Sequence, residues 1–293
     1  MRTVLADIFR AGVAAAHGGR LLAAHSRFDG RAWSYRRGGV HARLDLPGAG
    51  RVLVVGAGKA AAALGEGLEA VLGERIDAGR LVVKYGHGAP LRRIEALEAG
   101  HPTPDAAGQA ATRKVLECVA GLTADDRVFV LLTGGASALL TAPAPGLTLE
   151  DKQAVTGLLL RSGADIREIN TVRRRLSSVK GGGLARAIGP APSLTLMISD
   201  IPDGDLALIG SGPTWPDPPR PAKPWRSSGA TASSVKPRPP CCAVWPRRRS
   251  PRRFPQPSAA PTTSCWPTAP RPWPPRPNGP PPSATPSRSS IPA

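Results

Sequence analysis

Cysteines, long apolar runs and, over the last quarter of the chain, acidic residues are scarce in this sequence. Only Cys118 of the four cysteines lies in the first 217 residues, so that part has no disulfide framework and suits a reducing cytosol. No apolar run reaches the roughly 18 residues that a membrane-spanning helix needs. Asp7 and Arg10 interrupt the apolar spacing near the N-terminus, which a signal peptide would keep uniform. We therefore expect a cytoplasmic protein without a membrane partner.

Acidic residues are absent from residues 218–293, which contain 13 Lys and Arg and 23 of the 34 prolines. Residues 1–217 carry all 21 acidic and 26 basic residues, so the formal net charge of +18 mainly describes the tail. The tail has too few aliphatic residues to offset chain entropy, and we expect it to be disordered. Such a composition is also found in segments that recruit nucleic acid or proline-binding modules, but it is weak support, and we expect no nucleic-acid partner.

Apolar runs alternate with helical patterns over residues 1–217. Strands are predicted at Val52–Val55, Arg80–Tyr85, Arg127–Leu132 and Leu194–Ile198, and helices at Thr3–Ala16, Ala60–Leu72, Ala106–Ala120 and Leu149–Arg161. Asp105 is the predicted N-cap of the third helix, and Ser26–Gly50 is expected to be a loop. Strands that are continuous apolar runs predict an α/β fold with a Rossmann-like parallel sheet and helices on both faces. We expect this domain to span 1–217, followed by the tail 218–293.

The first glycine turn follows the strand Val52–Val55, with Gly56, Gly58 and then Lys59 before an alanine-rich helix. Free backbone N–H groups, the helix dipole and the lysine charge together suit a phosphate, so Gly56 and Gly58 are candidate cofactor-binding residues. The alternative is that glycine here only permits close packing.

The same turn also fits the dinucleotide pattern G-x-G-x-x-A. An acidic residue that binds ribose hydroxyls is then expected at the end of the next strand, where the chain has Lys84. This weakens the case for a nicotinamide cofactor, although a basic residue there tolerates a 2′-phosphate. The spacing of a Walker loop is not met.

A second glycine turn, Thr133–Ser137, follows the strand Arg127–Leu132. Gly134 and Gly135 let backbone amides approach a ligand, and the Ser137 hydroxyl can donate to a phosphate oxygen. The alternative is an ordinary strand–helix turn in which Ser137 is the N-cap.

Charged groups follow in two further segments. Arg173 and Lys180 are candidates to neutralise an anionic substrate or a transferring phosphoryl group, and the alternative is a solvated helix face with a glycine C-cap. Asp200, Asp203 and Asp205 come just after a strand, where hard oxygen ligands suit Mg²⁺, and the alternative is an acidic turn. The histidines His87 and His101 are interpreted as loop residues, and Cys118 as a core residue.

Six motifs in order resemble those of the type II glycerate kinases, a family also labelled hydroxypyruvate reductase. They are DIFRAGVAAA, VVGAGKAA, GHP-P-DAAG, LLTGGASALL, EIN-VRRRLSSVKGGGLA and ISDIPDGDLALIGSGPTWPDP. The resemblance covers residues 5–217 and implies ATP-dependent phosphorylation of D-glycerate to 2-phosphoglycerate with Mg²⁺. It implies an active site between the Rossmann-like domain and a second α/β domain.

The resemblance also assigns roles to individual residues. It implies that Lys59 is the active-site lysine, that Gly134, Gly135 and Ser137 form the nucleotide loop, and that Arg173 belongs to the catalytic basic segment. It further implies that Lys180 contacts the nucleotide and that Asp200 is catalytic and holds the metal. Ala136 stands where the family usually has a third glycine, and Arg174 and Arg175 where it more often has lysine and histidine.

Nothing after Asp217 resembles the family, so the second domain is expected to be missing and activity to be weak or absent. A tail rich in Pro, Arg, Ser and Ala is typical of a GC-rich gene read out of frame, and we expect the tail to be such a frameshift product. The alternative activity is an NAD(P)-dependent hydroxypyruvate reductase. A homo-oligomer is left open.

Overall fold

The computed structural model describes residues 2–199, 208–215 and 262–265. Its helices are α1 (Arg2–Ala15), α2 (Gly18–His25), α3 (Ala61–Leu72), α4 (Ala106–Cys118), α5 (Ala136–Leu139), α6 (Leu149–Arg161), α7 (Ile166–Arg175) and α8 (Gly183–Ile188). Its strands are β1 (Ser26–Phe28), β2 (Ala32–Arg37), β3 (Val40–Asp45), β4 (Val52–Ala57), β5 (Ala78–Lys84), β6 (Ile94–Ala99), β7 (Arg127–Leu132), β8 (Ser193–Met197) and β9 (Thr262–Cys265). Short 3-10 turns occupy Gly73–Arg75 and Ile209–Ser211.

The main sheet has the strand order β6-β5-β4-β7-β8-β9, and every pairing in it is parallel. The central strand β4 is buried along its whole length, with Val54 beside Gly79 of β5 and Phe129 of β7. A strand covered on both faces needs apolar side chains in both directions, which explains its continuous apolar run. The predicted α/β fold with a parallel sheet is therefore confirmed.

Helices cover the sheet on both faces. One core packs α3 against the sheet through residues such as Leu64 and Phe129, and the other packs α4 and α8 through Val115 and Leu184. The predicted N-cap Asp105 is confirmed, because its carboxylate accepts a 2.8 Å hydrogen bond from the Gly108 amide. No helix of the described ranges combines the length and apolarity needed to cross a bilayer.

The expected loop Ser26–Gly50 is wrong, because this segment forms a three-stranded antiparallel sheet, β1-β2-β3. Its β3 strand alternates buried Ala42 and Leu44 with exposed neighbours, the period of a half-buried strand. From β2, the Trp33 ring packs edge-on against Phe129 of the main sheet at 5.2 Å between ring centroids. The segment therefore joins the main core, while most of its arginines are exposed.

Strand β9 is the one described part of the tail. Its residues Thr262–Cys265 pair in parallel with β8, so four residues of the expected disordered tail form a strand. The rest of 218–293 lies outside the described residues. Its disorder and the domain boundary at Asp217 stay predictions.

Candidate active site

The turns after β4, β5, β6 and β7 lie together at the carboxyl edge of the parallel sheet. Lys59 follows β4, His87 and His101 follow β5 and β6, and Gly134–Ser137 follow β7. The turns are in contact, because the His87 ring nitrogen lies 3.0 Å from the Lys59 carbonyl oxygen. Open parallel sheets bind ligands at this edge, so the fold brings the predicted glycine turns to one place.

The backbone amides of the first glycine turn already have partners inside the protein. They donate from Gly58 to Val82 O at 3.0 Å, from Lys59 to Gly134 O at 2.9 Å and from Ala60 to Thr133 Oγ1 at 3.0 Å. The expectation that this turn offers free N–H groups is therefore wrong. A pyrophosphate bound here would have to replace these hydrogen bonds.

Gly56 and Gly58 instead allow two pieces of backbone to touch. A Cβ on Gly56 would overlap the carbonyl of Leu131 on β7, and one on Gly58 would overlap Thr133. Because both positions are glycine, the backbone of the first turn can pack directly against β7 and the second turn. The structure thus supports the packing alternative at both glycines. Because the amides of this turn donate inside the protein, they do not support a role for Gly56 and Gly58 as cofactor-binding residues.

The side chain of Lys59 is exposed and lies against the second glycine turn. A Cβ on Gly135 would lie 3.3 Å from Lys59 Cγ and 3.0 Å from His101 Cδ2, so Gly135 lies next to both side chains. Burial lowers the pKa of His101, and the positive charges of Lys59, Lys84 and His87 lower it further. The edge of the sheet therefore concentrates positive charge.

The second glycine turn differs from the first in its amides. The N–H groups of Gly134 and Gly135 have no hydrogen-bond acceptor within 2–199, 208–215 and 262–265. Gly135, with φ of +92°, is the N-cap of α5, and Ser137 lies inside that helix. The alternative in which Ser137 is the N-cap is therefore wrong.

Ser137 begins a chain of hydrogen bonds that runs to α7. The oxygens of Ser137 and Ser211 are 2.9 Å apart, and the Ser211 hydroxyl donates to Asn170 Oδ1 at 2.8 Å. Because Ser211 gives its only proton to Asn170, Ser137 is the donor in the first bond. Its predicted hydrogen bond to a phosphate would need this bond to break. Ser211 and Asn170 were not among the predicted site residues.

The basic segment is partly buried rather than a solvated face. Lys180 is 2% exposed, and its Nζ donates to the carbonyl of Leu140, just after α5, at 2.9 Å. Arg173 on α7 is half-buried. The glycines beyond α7 do not cap it, because the helix ends at Arg175 with Leu176 as its C-cap, and Gly182 is the N-cap of α8. The fold therefore brings the basic segment close to the second glycine turn.

Asp200, Asp203 and Asp205 lie outside the described residues. The magnesium site predicted at Asp200 therefore stays a prediction. Elsewhere in the described part of the chain, no three His, Cys, Asp or Glu side chains are grouped closely enough to hold a metal. Cys118 packs at the margin of the core, and burial raises the pKa of its thiol, which disfavours the reactive thiolate.

A protein-family model described as "Domain of unknown function (DUF4147)" matches residues 4–234, well over half of the chain. The chain belongs to the DUF4147 family. The match ends 17 residues past Asp217, inside the segment in which no family resemblance was expected.

Three proteins with a functional name are similar to this chain in sequence or structure. It is 50% identical over 169 residues to an Agrobacterium vitis protein that carries a provisional hydroxypyruvate reductase name, covering 58% of this chain and 39% of the relative. It is 47% identical over 168 residues to the D-glycerate 2-kinase of Thermotoga maritima, covering 57% and 40%. A solved structure of a glycerate kinase from Thermotoga maritima shares 46% identity at a TM-score of 0.56, covering 58% and 41%. The chain thus spans about two fifths of the length of these relatives.

The charge at the edge of the DUF4147 sheet predicts a measurable response of His101 to anions. Inorganic phosphate bound beside Lys59 offsets the neighbouring positive charges and so favours the imidazolium form. We expect the pKa of His101 to rise when phosphate is added, as followed by NMR titration. The resonances of exposed His41 on β3 are the control and should not move. An unchanged His101 titration would mean that no anion binds next to this ring.

Proposed function

We propose that this chain has the active-site half of a glycerate 2-kinase, which transfers the γ-phosphoryl group of ATP to the 2-hydroxyl of D-glycerate. One observation carries the proposal: the exposed Lys59 side chain lies against the second glycine turn, whose amides have no acceptor among the described residues. Names of relatives support it, since proteins 47% and 44% identical to this chain are named D-glycerate 2-kinase and glycerate 2-kinase.

The proposed roles follow from the needs of phosphoryl transfer, in which positioning and charge neutralisation matter more than covalent catalysis. Lys59 neutralises charge on the transferring group, and the amides of Gly134 and Gly135 hold phosphate oxygens. Arg173 and Lys180 add positive charge on the side of α7. Mg²⁺, which we assign to Asp200, supplies further neutralisation of the nucleotide phosphates when bound.

The reductase alternative fits the described residues less well. The G-x-G-x-x-A turn would bind a pyrophosphate through amides that here donate to Val82, Gly134 and Thr133. The strand β5 ends at Lys84, where an acidic residue would bind the ribose. The hydroxypyruvate reductase name of the Agrobacterium relative is provisional, and the kinase is therefore the better supported of the two activities.

We propose a cytoplasmic setting and small-molecule partners, ATP and D-glycerate.

A paired assay tests the function. The full chain is incubated with ATP, Mg²⁺ and D-glycerate while ADP and 2-phosphoglycerate are measured, and in parallel with NADPH and hydroxypyruvate while dinucleotide oxidation is followed. Fluorescent ATP and NADPH binding are measured on the same sample, since binding does not require turnover. We expect glycerate-dependent ADP release and binding of the ATP analogue alone. Dinucleotide binding without ATP binding would reverse the assignment.

A further inference from the structure

Lys152 is the most deeply buried of the described side chains of α6. Lys152 is 2% exposed, and among the described side chains of this helix only Leu149, at 8%, is otherwise buried. Its Nζ has no hydrogen-bond partner within the described ranges. A residue that only packed a helix would be leucine or methionine, because burying an unpaired ammonium group is strongly unfavourable. The position therefore requires an explanation beyond packing.

Two further cations lie close to Lys152. Arg173 is half-buried on α7, which packs against α6, and Lys180 is as deeply buried as Lys152. Lys180 uses one of its three N–H donors on Leu140. No carboxylate of residues 2–199 or 208–215 forms an ion pair with any of the three.

The electrostatics agree with three neighbouring positive charges that no described carboxylate neutralises. Burial lowers the pKa of Lys152 to about 8, and Arg173 contributes to the shift. Burial lowers the pKa of Lys180 well below its usual value, and Lys152 and Arg173 lower it further. An anion among these side chains would satisfy the unused donors and reverse the repulsion.

We propose that Lys152, Arg173 and Lys180 form a binding site for one small oxyanion, with the buried Lys152 ammonium as its central donor. The site adjoins the sheet edge, since Lys180 is bonded to Leu140 just after α5. The natural occupant is the carboxylate of an α-hydroxy acid, and this finer assignment to D-glycerate rests on the proposed function. The oxyanion site itself does not rest on it.

The test compares the full chain with Lys152→Met, which keeps the length of the side chain and removes its charge. Thermal stability is followed while D-glycerate, glycerol, inorganic phosphate or ATP is added at constant ionic strength. In the parent chain we expect D-glycerate to raise the melting temperature and glycerol, which lacks the carboxylate, to leave it unchanged. In Lys152→Met we expect a higher melting temperature without ligand and an apparent Kd for D-glycerate raised by about tenfold or more.

The control is Lys114→Met on α4, an exposed lysine paired with Glu95, which should bind D-glycerate like the parent chain. Stabilisation by phosphate and ATP alone, lost in Lys152→Met, would support the oxyanion site and assign it to a phosphate group. An equal response to every anion in Lys152→Met and the parent chain would overturn the proposal and mean that a carboxylate of the chain itself neutralises Lys152.

A second measurement keeps the proposal testable if Lys152→Met does not fold. The Nζ resonance of Lys152 is identified by its loss in Lys152→Arg and is followed in the parent chain as D-glycerate or phosphate is added. We expect it to shift at saturation, and a resonance that does not respond to either anion would overturn the site. Neither readout needs turnover, so a failure of the kinase proposal and a failure of this site give different results. If Lys152→Met phosphorylates D-glycerate with the same KM as the parent chain, the function stands and the assignment of this site to the D-glycerate carboxylate is overturned.

Discussion

Lys59→Ala is expected to lower ATP-dependent phosphorylation of D-glycerate by on the order of 10²–10³-fold, the usual loss for one preorganised phosphate or oxyanion contact. Binding of an ATP analogue should weaken by about tenfold or more, because a charge-assisted hydrogen bond is lost. The fold should be unaffected, since the side chain is exposed and alanine keeps the backbone bond to Gly134. The measurements are initial rate, nucleotide Kd and circular dichroism on one sample.

The matched control for this change is Lys114→Ala, which removes the same charge from an exposed helix position paired with Glu95. A surface pair of this kind contributes little to stability, so rate and Kd should match the parent chain. If Lys59→Ala retains full turnover and affinity, Lys59 is not the phosphate-binding residue. Equal losses in both variants would indicate a general effect of net charge.

Gly56→Ala is expected to lower the free energy of unfolding by about 3 kcal/mol or more, because a Cβ there overlaps the carbonyl of Leu131 in the centre of the sheet. Backbone of two paired strands cannot move apart without breaking the ladder between β4 and β7. The corresponding fall in melting temperature is about 6 °C or more for a domain of this size. Denaturant unfolding and a thermal scan measure it.

Gly12→Ala is the matched control, since a Cβ at this exposed position of α1 has nothing within 4 Å. Alanine favours a helix over glycine by about 1 kcal/mol, so this variant should be equal to or more stable than the parent chain. If Gly56→Ala unfolds like the parent chain but no longer binds nucleotide, the glycine serves ligand binding and the packing interpretation fails.

Much of the parallel sheet could be predicted because each of its central strands is a continuous apolar run in the local sequence. Arg127–Leu132 was predicted with the bounds that the structure has, and β4 differed by two residues at its end. The edge strand β6 was missed because its sequence, IEALEA, is made of residues that favour helices. It is a strand because pairing with β5 satisfies its backbone, which no local propensity shows.

The candidate site was predicted in part for the same reason. Sequence motifs pointed to Lys59, to the Gly134–Ser137 turn and to the basic segment, since the first two follow apolar strands. They could not show that Lys152 is buried with Arg173 and Lys180, because the three residues lie on α6, on α7 and beyond α7. From the sequence alone, a lysine on a polar helix is expected to be exposed, and only packing against the neighbouring helix buries it.

The sequence by itself determined the α/β class, the order of its central elements and the family, because apolar period and motif order are local properties of the chain. Only the tertiary structure decided what the first glycine turn does. Its G-x-G-x-x-A pattern is equally consistent with free amides and with amides bonded inside the protein. The neighbouring turn after β7 supplies the acceptors Gly134 O and Thr133 Oγ1, more than 70 residues away in the chain. A hydrogen-bond partner that arrives through strand pairing is set by the register of the sheet, which the local sequence does not contain.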